Sequence, residues 1–198
     1  MNSRIIYMND LEEQEILNNS LNYLRQLKNM KYTLVTPETE TRVSNRPPFW
    51  NDSSKPLPSP SFVYGLGSCC TALANIMRRL NGLPVPGNMP GLPKENCVGG
   101  TKAWFKYLKN TKRINVIDHK QCYTEGTMLI QDYNPRDQGH IALVLNPNNS
   151  GLLQSDIIHN IGSNDPKYNK VVIEKFCDYT DFDRFTHVCH PENWIFKE

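Results

Sequence analysis

The apolar periodicity of this chain changes once along its length, and that change decides its fold class. Up to Asn110 the hydrophobic residues recur at three- and four-residue spacing, whereas beyond it they fall in short runs closed by Gly, Asn, Pro and Asp. The first pattern predicts a helix over 9–30, with Leu17, Leu21 and Leu24 on one face and Asp10 and Glu13 placed as a capping box. A second helix is expected over 71–81, turning Leu73, Ile76, Met77 and Leu80 inward and stopped by Gly82 and Pro84. A third begins at Thr101, with Trp104, Tyr107 and Leu108 facing the interior. Strands are expected at 32–36, 115–118, 127–132, 140–145, 151–155 and 170–175. Helices first and strands afterwards predict an α+β fold with a central antiparallel sheet.

A chain of 198 residues is of single-domain size and buries roughly two thirds of its unfolded surface. Its expected organisation is an N-terminal helix and strand extension over 1–46, an arm over 47–60 and a main body over 61–198. The arm, PPFWNDSSKPLPSP, is too rich in Pro and Ser for regular structure. Its adjacent aromatics Phe49 and Trp50 are expected to dock it back onto the body.

The 22 basic and 20 acidic residues are interleaved and leave a net charge of +2, so nucleic acid is not an expected partner. No stretch reaches the roughly 18 apolar residues of a membrane span, and no integral membrane segment is expected. The start, MNSRIIYMNDLEEQEIL, turns acidic before a signal-like apolar block develops. The expected location is therefore the cytoplasm or the inside of a virion, without classical secretion; richness in Asn, Lys and Ile fits an AT-rich genome such as that of a protist or of a large DNA virus of one.

Six cysteines at 69, 70, 97, 122, 177 and 189 form no CxxC pair, which fits neither a disulfide scaffold nor a zinc ribbon. His187, Cys189 and His190, with Cys177 nearby, are the densest cluster of ligand types, but alternate residues of a strand THVC face opposite ways. Neither a metal nor a cofactor is expected. His119, after a short strand, reads as a solvated turn residue.

Three residues carry chemistry. Cys70 stands immediately before the 71–81 helix, where unpaired N–H groups and the positive end of the helix dipole lower a thiol's pKa. His140 opens the most apolar strand directly after Gly139, in position to project from a sheet edge. Gln154 follows 14 residues later (154 − 140), on a run expected to pair with the His140 strand and bring the amide beside the imidazole; His159 is the competing choice. A thiol, an imidazole base and a polar group that orients the imidazole are the parts of a nucleophilic acyl-transfer site.

In order and context these residues resemble the NlpC-type cysteine peptidases of the papain-like superfamily. That family has a Tyr-x-Trp-Gly approach, an Asp-Cys-Ser-Gly-Leu elbow and a later Gly-His-Val strand. Here Phe62, Tyr64 and Gly65, then Cys69-Cys70-Thr71-Ala72-Leu73, then Gly139-His140-Ile141 stand in the corresponding places. Matching Leu73 to the elbow Leu puts the nucleophile at Cys70. The resemblance runs from about Ser61 to Ser155. It implies a papain-like NlpC-type fold with the nucleophile helix packed on the sheet, and a groove involving Phe62, Tyr64 and Gly139. The family's third position is His, Asn or Gln, which admits Gln154 or His159. The implied activity is that of a cysteine peptidase or amidase cleaving an amide or isopeptide bond of a peptide or acyl substrate, through an acyl-enzyme and without a cofactor. An acyltransferase or thioesterase on the same scaffold, and a binding protein that keeps the groove without turnover, stand as alternatives. The sequence specifies no oligomeric state.

Overall fold

Leu17, Leu21 and Leu24 are all buried, one turn apart, which makes Met8–Gln26 (α1) an amphipathic helix with a single inward stripe. The computed structural model describes residues 8–29, 33–34, 67–68, 71–87, 100–131, 139–161 and 170–196. The helix starts at Met8, so Asp10 falls inside its first turn rather than at the cap. The Pro-rich arm lies outside the described residues, as do Cys69, Cys70 and Cys97.

Ala72–Leu80 (α2) and Thr101–Asn110 (α3) follow the predicted helical spacing. Leu73, Ile76 and Met77 are buried, while Leu80, at the last position of α2, is exposed. Gly82, in the left-handed region at φ 68, then reverses the chain so that the Leu83 N–H returns to the Arg78 carbonyl at 2.9 Å. Arg78 itself is buried. Its guanidinium donates to the carbonyls of Pro84 at 2.6 Å and Trp194 at 2.8 Å, and lies over the rings of Trp104 and Tyr107.

Thr33–Leu34 (β1) and Gly67–Ser68 (β2) form a short parallel pair. The main sheet has six strands: Asn115–Val116 (β3), Met128–Gln131 (β4), His140–Asn146 (β5), Asp156–Ile161 (β6), Lys170–Lys175 (β7) and Phe185–Cys189 (β8). Their order is β3-β8-β4-β5-β6-β7, and every pairing is antiparallel. The α+β class expected from the sequence is therefore the class observed.

The period of two gives this sheet two different faces. Met128, Ile130, Ile141, Leu143, Leu145, Ile158 and Val171 join the leucine stripe of α1 and the inner faces of α2 and α3 in one core. Leu129, Ala142, Val144, Ile157 and Val188 point the other way, into a second core closed by Tyr123, Leu152, Phe176 and Phe185. A Cβ on Gly126, at φ 80, would lie 2.6 Å from Leu17 Cδ1 and 3.5 Å from Ile195 Cδ1, so residues from both ends of the described chain meet at this glycine. Among the described residues no helix is long and apolar enough to cross a membrane.

The strand expectations fail in two places. GLLQS is not a strand: Leu152–Gln154 is a turn of 3-10 helix entered through Gly151 at φ 108, where a Cβ would stand 2.6 Å from the Lys120 carbonyl oxygen. The sequence reading omits the short β2 and, in the main sheet, β6, DIIHNI, whose apolar residues are interrupted by His159 and Asn160.

Candidate active site

Strand register builds the site. In the antiparallel pair of β5 and β6, His159 stands opposite Ala142. His140 is two residues from Ala142 and so shares its face. The resulting diagonal puts His140 Nε2 3.0 Å from His159 Nδ1, with the ring planes 87° apart. The same step repeats one strand further on. His159 stands opposite Val172 of β7, and Glu174, two residues along, places Oε1 2.7 Å from His159 Nε2. Three adjacent strands thus deliver one residue each to a row of two hydrogen bonds across the second face of the sheet.

Gly139 makes the start of this row possible. Its φ of 70 is in the left-handed region, where a side chain would be strained, and the chain turns there into β5. His140 keeps partial exposure, while His159 is fully buried. Phe185 lies 5.9 Å from the His140 ring, and Tyr179 packs against both imidazoles. Burial among these rings pushes the His140 pKa down to about 3, and the neighbouring His159 adds to the depression. Burial lowers the pKa of His159 too, opposed by its hydrogen bond to Glu174 and the charge of that carboxylate. Both rings are therefore neutral near pH 7.

Gln154 does not join them. It ends the 3-10 turn, and Asp156 just beyond it pairs with Asn146, six residues (146 − 140) along β5 from His140. At about 3.3 Å per residue that is roughly 20 Å. The Gln154 Oε1 instead accepts from Lys175 Nζ at 3.4 Å. The expected register fails because GLLQ is consumed by the turn; β6 starts at Asp156, and His159 rather than Gln154 comes level with the Gly139 end of β5. His119 departs from expectation as well. Its ring packs against Phe176 and Phe182 at 5.6 and 6.1 Å with Nε2 buried, rather than standing in solvent.

Cys70, Phe62 and Tyr64 lie outside the described residues, so of the expected site the structure positions Gly139, the two histidines and, apart from them, Gln154. The body of α2 rests on the first face of the sheet, against the core that holds Ile141 and Ile158, and the imidazoles are on the second. Among the described thiols, Cys122 is exposed, Cys177 half-buried and Cys189 buried, with burial pushing the Cys189 pKa up to about 12. Among the described residues no three His, Cys, Asp or Glu side chains are grouped to hold a metal ion.

Glu174 and Tyr179 are absent from the sequence reading. KVVIEK is legible as a strand, and its alternation puts Val172 and Glu174 on one face. A single acidic residue near a strand end signals only a wet edge, however, and its partner emerges only from the register of three strands. No protein-family model matches the chain, and neither a curated protein nor a solved structure matches it.

Proposed function

We propose that this protein is a cysteine hydrolase of the papain-like NlpC type, acting on an amide or isopeptide bond of a peptide or acyl substrate. Cys70 is the nucleophile, His140 the base and His159, in place of Gln154, the third member. The observation that carries this reading is the hydrogen bond between His140 Nε2 and His159 Nδ1 at the glycine-led start of β5. An imidazole tied at one nitrogen is fixed in direction, and its other nitrogen is left to exchange a proton with a reacting group.

In this mechanism the Cys70 thiol gives its proton to His140 as sulfur attacks the carbonyl carbon. His140 then protonates the leaving amine, a thioester forms, and water resolves it with His140 again as base. A neutral, enclosed imidazole favours proton transfer during attack over a resting thiolate–imidazolium pair. The N-terminus of α2 supports developing negative charge on sulfur.

Labelling with iodoacetamide at pH 7.5, followed by peptide mapping, tests this reading. Cys70 is expected to react faster than the exposed Cys122, and His140→Ala to slow it. Equal rates at Cys70 and Cys122, or a Cys70 rate indifferent to His140→Ala, would remove the reading.

A further inference from the structure

We propose that Glu174 is a positioning residue of this site: through His159 it determines which nitrogen of His140 acts as the base. The inference rests on His140 being the base, as proposed above, and on the row of hydrogen bonds across β5, β6 and β7. An ionised carboxylate can only accept, so the 2.7 Å contact places the proton of the neutral His159 ring on Nε2. His159 Nδ1 then holds a lone pair. Its 3.0 Å contact with His140 Nε2 requires that His140 be the donor, which puts the His140 proton on Nε2 and leaves the basic lone pair on Nδ1. The opposite tautomer of His159 would aim a lone pair at the carboxylate from 2.7 Å, two acceptors in contact.

The proton balance of the attacking step follows. The thiol proton moves from Cys70 Sγ to His140 Nδ1; the Nε2–H of His140 keeps its bond to His159, and the Nε2–H of His159 keeps its bond to Glu174. No proton shifts along the row. The positive charge that forms on His140 is offset by the carboxylate one residue further on. His159 transmits both orientation and field. Glu174 touches no reacting atom, and its side chain is 24% exposed on the sheet's last strand.

Long-range 1H–15N spectra of the histidine rings at pH 7.5 test the assignment, on the full-length protein and on Glu174→Gln and Glu174→Ala. Wild-type protein is expected to show His140 and His159 both protonated at Nε2. In the variants the Nδ1–H form of His159 is expected to appear. Iodoacetamide labelling of Cys70 is then expected to slow by about tenfold, below the 10²–10⁴ contributed by a base itself. Protonation of His159 at Nδ1 in the wild type would overturn the proposal whether or not a variant folds. Unchanged tautomers in both variants would overturn it too. A tautomer shift with no change in Cys70 labelling would uphold the positioning by Glu174 and overturn the Cys70–His140 reading instead.

Discussion

The phenol ring of Tyr179 stacks on the imidazole of His140, with centroids 5.5 Å apart and planes 24° from parallel, and meets His159 at 4.8 Å and 71°. One side chain thus packs against both histidines. Since desolvation is the main cause of the depressed His140 pKa, Tyr179→Ala should raise that pKa from about 3 by roughly one unit or more as water reaches the ring. Titration of the ring protons by NMR measures this. A pKa unmoved in the variant would locate the desolvation elsewhere, at Phe185 first.

The same depression makes stability depend on pH. An unfolded histidine titrates near 6.5, whereas folded His140 does so at about 3, so the unfolded chain takes up a proton across this window and the folded one does not. Stability is therefore complete above pH 6.5 and is lost as pH falls toward 3, with His159 acting in the same direction. Between pH 7 and 5, before most carboxylates titrate, His140→Gln should show a smaller fall in Tm than the wild type. Parallel curves would mean that the folded ring protonates normally.

For the third position the register predicts an order of effects. His159→Ala should slow Cys70 labelling by about tenfold or more. Gln154→Ala, removed from the histidines by most of a strand, should change it by less than about twofold. Paired rate measurements at one pH decide the matter, and the reverse order would reinstate Gln154.

Arg78 tests the first core rather than the site. Arg78→Ala leaves the carbonyls of Pro84 and Trp194 without their donor and empties the space over Trp104 and Tyr107. Such a loss should cost about 3 kcal/mol, read from the shift in urea midpoint. Arg78→Lys should recover part of this, because a compact ammonium cannot reproduce the planar fork.

What was legible in the sequence was whatever a single segment decides. Leucine spacing revealed α1, KVVIEK revealed β7 by residue, and Gly139-His140 ahead of IALVL marked the start of β5 as a special position. What was not legible depends on how segments align. The leucines of GLLQS suggest a strand for Gln154, yet Gly151 beside the Lys120 carbonyl commits it to a turn, and His159 rather than Gln154 comes within hydrogen-bond reach of His140. Glu174 is further still from being readable, since two successive pairings must be known before its carboxylate meets an imidazole. Local pattern fixes elements; register fixes chemistry.

Gly126 lies where Leu17 and Ile195 come together, 178 positions apart in the chain (195 − 17). During synthesis α1 emerges before the sheet, and its core is complete only when the segment around Trp194 and Ile195 docks. Contacts of such long sequence separation close late. A nascent chain halted before residue 190 would carry an incompletely covered apolar stripe, the kind of surface that draws holding chaperones or aggregates. Completion of the first core, and with it a rigid sheet to hold the histidine row, is thereby tied to the synthesis of a tryptophan more than fifty residues beyond His140.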